Sequence, residues 1–224
     1  MMLLRQQKKQ SNTWRVMPKL AIIIQARSSS VRLPGKVLMQ IRGESIIQRI
    51  HRLCSEVYPS IVAIPFGDSP LAMHLSDKNI PFFCGHETNV LCRYLECAEE
   101  KRFTHVVRVT GDCPMISQES IFWIGEHGLR DDFDFYSNCG QDRKSVDGED
   151  CEFISLPFLR WMAETAQDSR HLEHVTLYAY ERRAWIPSNF KVGFWRDSCL
   201  DMSAGKSSID TKEEFDKIKT ECEK

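Results

Sequence analysis

The run Leu20-Ala21-Ile22-Ile23-Ile24 constrains the fold of this chain more than any other stretch. It is wholly apolar, too short to span a membrane and rich in β-branched side chains. Such a run suits a strand buried on both faces, as central strands of parallel sheets are. The chain then repeats the theme. Ser45 to Val57 places Ile46, Ile47, Ile50, Leu53 and Val57 on one helical face, and Ile61-Val62-Ala63-Ile64 reads as the next strand. Asp68-Ser69-Pro70 has the form of a helix N-cap, for a short helix ending near Ser76 before a small strand around Phe82-Phe83. Asn89 to Lys101 reads as a helix, Thr104 to Val109 as a strand, and Gln118 to Leu129 as a helix packing through Ile121, Phe122, Ile124 and Leu129. A further strand is expected over Phe133 to Tyr136. Repeated βα units of this kind predict an α/β fold of three layers, a mostly parallel, mixed sheet with helices on both faces.

A length of 224 residues with 42% hydrophobic content suits a single α/β domain with a substantial core. Residues 1–17 are polar and basic without apolar periodicity, so they are expected to form a disordered extension, leaving 18–224 as the domain. A net charge of −1 offers no general attraction to nucleic acid or to membranes. Nine cysteines without CxxC pairs, and no signal peptide ahead of them, predict reduced thiols and a cytoplasmic protein. Zinc is disfavoured by the same spacings.

Directly after the first strand comes Gln25-Ala26-Arg27-Ser28-Ser29-Ser30-Val31-Arg32-Leu33-Pro34-Gly35-Lys36. Arg27, Arg32 and Lys36 stand among small residues in a loop at a strand's carboxyl end, where ligands of open α/β sheets bind. Arginine forks match phosphate oxygens, lysine adds a mobile point charge, and serines let backbone N–H groups approach. The loop is not a Walker A motif, because Ser30 stands where its first glycine belongs. A second feature, Thr110-Gly111-Asp112-Cys113-Pro114, closes the later strand, so Asp112 can face the same crevice. A third, Ser208-Ile209-Asp210-Thr211-Lys212-Glu213-Glu214, sets Thr211 and Glu214 at capping-box spacing, with Asp210 just outside the cap.

The basic loop closely resembles the nucleotide loop of the cytidylyltransferases that activate sugar acids, CMP-Kdo synthetase and acylneuraminate cytidylyltransferase. The chain is most similar to their relatives of the spore coat polysaccharide biosynthesis protein F type, from about Leu20 to the C-terminal helix. The resemblance implies a nucleotide-diphospho-sugar-transferase-like, Rossmann-like sheet and transfer of CMP from CTP to a sugar acid or related polyhydroxy acceptor. It implies nucleotide contacts from Gln25, Ala26, Arg27, Ser30, Arg32, Lys36, Arg93, Gly111 and Asp112. Catalysis is expected to rest on Arg27, Lys36, Asp112 and Asp210, the two aspartates holding a metal ion. Two carboxylates plus substrate phosphates suit magnesium. Without the metal, that like-charged pair is expected to repel itself.

Asp147-Gly148-Glu149-Asp150 and Glu173-His174-Val175-Thr176 resemble segments that border the acceptor in these enzymes, which implies acceptor contacts from Asp147, Asp150, Glu173 and His174. Here Leu172 replaces the arginine that relatives carry before the second string. Relatives commonly pair as homodimers, and the apolar bulk between Asp150 and Tyr180, including Phe153, Phe158, Leu159, Trp161 and Tyr178, is expected to supply the contact face. Two alternatives stand. One is a glycosyltransferase on the same sheet, with Asp132-Phe133-Asp134 as its Asp-x-Asp motif; the other is a non-catalytic nucleotide-binding protein.

Overall fold

The computed structural model describes residues 19–139, 147–195 and 206–223, and the tail expectation for residues 1–17 lies outside them. The chain enters through β1 (Leu20–Gln25), whose residues from Leu20 to Ile24 are all buried, as a strand sandwiched between two helical layers requires. A two-residue turn at Arg42 and Gly43, with φ of 52° and 77°, joins β2 (Gln40–Ile41) to β3 (Glu44–Ser45). Positive φ at both positions is the demand of a tight hairpin turn. This hairpin was not expected, because its strands are too short to show alternation.

Ser45 then caps α1 (Ile46–Ser55) reciprocally: the Gln48 N–H donates to Ser45 Oγ, and the Ser45 N–H donates to Gln48 Oε1. Next come β4 (Ser60–Pro65), α2 (Ser69–Asp77) capped by Asp68, β5 (Phe82–Gly85), α3 (Val90–Glu100) capped by Asn89, β6 (His105–Thr110) and α4 (Gln118–Arg130). The remaining elements are β7 (Phe135–Ser137), β8 (Glu152–Ser155), α5 (Leu156–Thr165), α6 (Ser169–Glu173), α7 (Leu177–Glu181), β9 (Val192–Phe194) and α8 (Lys212–Glu223).

Seven strands form one sheet in the order β5-β4-β1-β6-β8-β7-β9. The pairs β5–β4, β4–β1, β1–β6 and β7–β9 are parallel, and β8 alone runs against its neighbours. The sheet is therefore mostly parallel and mixed. Side chains of one strand alternate between two cores. Ile22, Ile24, Val62, Val107 and Val109 pack with Ile46, Ile50, Ile121 and Ile218 on one face. On the other face Ala21, Ile23, Val106 and Ile154 pack with Leu91, Tyr94, Phe158 and Leu159. These are the three layers expected. Among the described residues no helix is long and apolar enough to cross a membrane.

Two expectations need correction. The strand placed over Phe133 to Tyr136 begins only at Phe135, because Asp134 turns its carboxylate back onto Ser155 Oγ (2.7 Å) and the Lys191 N–H (3.0 Å). Three of the five apolar residues named for a dimer face lie inside the chain. Phe153, Phe158 and Leu159 are fully buried in its own cores, and Trp161 and Tyr178 pack partly buried against them. That segment reads as apolar because it fills a core.

Candidate functional site

The carboxyl ends of β1 and β6 open onto a cleft of about 390 Å³, the position and size expected of a ligand site in an open α/β sheet. Every residue expected on sequence grounds to meet nucleotide, metal or acceptor lines it. Gln25, Ala26, Arg27, Ser30, Arg32 and Lys36 come from the end of β1 and its loop, Arg93 from α3, and Gly111 and Asp112 from the turn after β6. Asp147 and Asp150 precede β8, Glu173 and His174 end α6, and Asp210 precedes α8.

Lys36 joins the two aspartates expected to act with it. Its ammonium Nζ donates to Asp112 Oδ2 (2.8 Å), Asp210 Oδ1 (3.1 Å) and the Ile209 carbonyl (2.6 Å). Three donors meet three acceptors, so Lys36 is fully committed. Arg32 (2.8 Å) and Lys206 (3.2 Å) also reach Asp210. Burial alone would raise the Asp210 carboxyl, but the hydrogen bond and charge of Lys36, with Lys206 and Arg32, hold it below the usual carboxylate range. The two aspartates are therefore not an uncompensated like-charged pair, as the sequence reading had them. The lysine expected to grip phosphate is what separates them.

The surrounding backbone explains how the loop reaches that point. Gly35 adopts a left-handed φ of 70° and starts the single helical turn that carries Lys36 inward. Asp68, the cap of α2, also holds the loop, accepting from the Ser28 N–H (2.7 Å) and Ser28 Oγ (2.6 Å). Gly111 brings the Asp112 turn against β1: its N–H donates to the Gln25 carbonyl, and an added Cβ would stand 2.8 Å from that oxygen. Asp210 is fixed from the other side. Its N–H and that of Thr211 both donate to Glu214, which completes the capping box. The acidic segment docks there too, with the Ser207 N–H donating to the Asp147 carbonyl and Gly148 at φ 105° packed against Ser208.

Across the cleft Arg27 pairs with Glu173 (3.1 Å), each about half exposed, so a residue expected at the nucleotide and one expected at the acceptor touch each other. Arg93 is buried and clamps the carbonyls of His86 (2.9 Å) and Glu87 (2.7 Å). Desolvation lowers its guanidinium pKa from the ordinary value. Asp132-Phe133-Asp134 lies elsewhere. Asp134 is held beside Ser155, which pairs with His105 at the amino end of β6, away from the carboxyl end where the cleft opens.

One charged residue of the cleft was missed. Arg108, in the middle of β6, lines the cleft while its Nη1 donates to both oxygens of buried Glu152 (3.0 and 2.9 Å) and its Nε to Gln25 Oε1 (3.2 Å). Glu152 also accepts from Thr176 Oγ1 (3.0 Å) and Tyr180 Oη (3.4 Å). Burial alone would lower the Arg108 pKa, but the Glu152 charge more than reverses it. The available signal was a charged residue inside an otherwise apolar central strand.

Comparison with known proteins fits this geometry. Residues 21–149 match the model of the cytidylyltransferase family. Over 215 residues the chain is 27% identical to the spore coat polysaccharide biosynthesis protein SpsF of Bacillus subtilis, covering 91% of this chain and 86% of that one. Over 111 residues it is 32% identical to the 3-deoxy-manno-octulosonate cytidylyltransferase of Pseudoalteromonas atlantica, covering 47% of this chain and 44% of that one. The solved structure of a cytidylyltransferase from Leptospira borgpetersenii superimposes with a TM-score of 0.82 at 26% identity, over 91% of this chain and 86% of that one. The match over residues 21–149, more than half of the chain, on a sheet of this topology, identifies the chain as a member of the cytidylyltransferase family.

Proposed function

We propose that the protein transfers CMP from CTP to a sugar acid or related polyhydroxy acceptor, with release of pyrophosphate and with magnesium held by Asp112 and Asp210. The observation that carries this reading is the convergence of Asp112 and Asp210 on one point, the Lys36 ammonium. A cation already stands there, and both carboxylates aim an oxygen at it, which is the donor set a hard divalent ion takes. Among the described residues no group of three metal-ligating side chains occurs, so substrate phosphate and water would complete the shell. Bound there, the metal would neutralise charge on the α-phosphate.

The chain's own residues supply the rest. Arg27 and Arg32 orient the triphosphate from the loop. Lys36 exchanges its carboxylate partners for phosphate oxygens as the substrate enters and then faces the charge that develops in the transition state. Asp147, Asp150, Glu173 and His174 border the acceptor. In the Asp-x-Asp string of the glycosyltransferase alternative, Asp134 is spent on holding Ser155 and Lys191. A homodimer in the cytoplasm is part of the proposal, formed through a face other than the buried Phe153, Phe158 and Leu159; light scattering that gives a monomer mass at tens of micromolar would remove it.

Pyrophosphate release from CTP, UTP, ATP and GTP, with a panel of sugar acids and with or without magnesium, tests the reading. Release is expected with CTP, an acid and the metal together. Release with another nucleotide, or a rate indifferent to chelation, would refute it.

A further inference from the structure

One of the residues lining the cleft, Arg108, belongs to an ion pair that the proposed nucleotidyl chemistry does not use. Arg108 and Glu152 lie on adjacent strands at paired register, with side-chain exposures of 11% and 3%. Burying such a pair costs several kcal/mol of desolvation per ion, and replacing it with apolar residues is commonly neutral or stabilising, so its retention asks for a reason besides stability. The hydrogen bonds give one. Nε and Nη1 are taken by Gln25 and Glu152, whereas Nη2 has no hydrogen-bond partner among the described residues. Nη2 is also not a sealed orphan, since the buried side-chain nitrogens and oxygens without partners among the described residues are His51 Nε2 and Ser60 Oγ. Arg108 lines the cleft, and Nη2 is the nitrogen its partners leave over for a ligand.

We infer that Arg108 is a specificity-determining residue that binds the carboxylate of the acceptor through Nη2, with Glu152 as its positioning residue. This rests on the sugar-acid reading of the acceptor. Nε is held by Gln25, at the head of the phosphate loop, but the choice of acceptor over triphosphate follows from the other partner. The carboxylate of Glu152 that fixes Arg108 also fixes Thr176, in the segment that leaves Glu173 and His174 on the cleft wall. The phosphate loop, by contrast, is anchored to Asp68, Asp112 and Asp210. The Nη2 edge keeps two N–H donors for charge-assisted hydrogen bonds to carboxylate oxygens. A neutral sugar would leave that edge unpaired, which is how a polar pocket rejects a substrate lacking the matching group.

The test uses full-length protein, a non-hydrolysable CTP analogue and a panel of 2-keto sugar acids, each paired with its carboxamide. Calorimetry measures binding of each, and pyrophosphate release from CTP measures turnover. The parent should bind at least one acid about 10- to 100-fold more tightly than its amide, the range of a charge-assisted hydrogen bond. Arg108→Lys should lose most of that preference with the CTP KM within about two-fold of the parent. The paired variant Arg108→Met with Glu152→Gln, which leaves no unpaired buried charge, should lose it entirely. A purely structural role would instead lower folding or kcat and leave the acid-to-amide ratio intact, which overturns the assignment. So would a parent that treats acids and amides alike or binds no acid. Acid binding that depends on Arg108 without pyrophosphate release would uphold this site and sink the nucleotidyl-transfer reading.

Discussion

The two walls of the cleft hold charge in opposite ways. On the loop wall, Lys36 answers two carboxylates, and Arg32 and Lys206 crowd the second, in a place where Asp112 keeps 28% side-chain exposure. On the strand wall, Arg108 answers Glu152 one to one, with neither side chain more than 11% exposed. The first arrangement can exchange partners, because its carboxylates stay partly open, at 28% and 16% against 3% for Glu152. The second cannot, so it acts as a fixed frame. The proposed reaction, which holds one substrate while rearranging around another, would use both.

The largest expected effect comes from breaking the strand wall on one side only. Arg108→Met leaves Glu152 buried without its cation, and chemical denaturation should show a loss of about 3–5 kcal/mol. Replacing both partners by methionine should recover most of that. If the double replacement were no better than the single one, Arg108 and Glu152 would not be a closed pair.

On the loop wall the same operation should cost less stability and more activity. Lys36→Ala leaves Asp112 and Asp210 facing each other, but with partial solvent access and two other cations near Asp210. About 2 kcal/mol of stability is expected to go, discounted from the buried-pair value. Pyrophosphate release should fall roughly 100- to 1,000-fold, as on removal of one preorganised donor. A stability loss equal to that of Arg108→Met would erase the distinction between the walls.

This contrast also explains what the sequence disclosed. The loop wall is made of local strings at strand ends, and each string carries its chemistry in consecutive residues, so Arg27, Lys36 and Asp112 could be found by eye. The pairing of Arg108 with Glu152 exists only through the antiparallel register of β6 and β8, set by a contact 44 residues apart in the chain. The long βα elements were legible because Ile46, Ile47 and Ile50 or Ile61 to Ile64 show a period. The β2–β3 hairpin has too few residues to show one, and the alternation in Phe133 to Tyr136 did not reveal that Asp134 turns back to Ser155. The apolar run from Phe153 to Tyr178 was ambiguous for a different reason. An interior and a dimer face ask for the same side chains, and only packing decides between them.

Two smaller effects sharpen the comparison. Asp68→Ala removes both the α2 cap and the two bonds to Ser28, so thermal or chemical unfolding should report about 1–2 kcal/mol lost, with a raised CTP KM; an unchanged KM would show the loop to be self-supporting. Arg27→Ala breaks an exposed pair, and its stability should change by less than about 1 kcal/mol even as turnover drops. A large stability loss would make Arg27 a structural latch.

Acid titration separates the walls further. Asp210 titrates below its ordinary range when folded, so its contribution is present above roughly pH 4, the unfolded carboxylate value. It is lost as pH falls through the lower folded value. The acid-side slope of stability should be shallower in Asp210→Asn than in the parent, and an identical slope would show that Lys36 does not depress this carboxyl.

The central claim is that Asp112 and Asp210 form one site for one cation. The most direct measurement is a double-mutant cycle on magnesium-dependent pyrophosphate release from CTP, using Asp112→Asn, Asp210→Asn and both. If they share a metal, each single change removes nearly all the activity and the double change removes little more, because residues that act as a unit are strongly non-additive. If the two losses instead multiply, or Asp210→Asn keeps normal turnover and only weakens the start of α8, the aspartates act separately and the single-cation site is wrong.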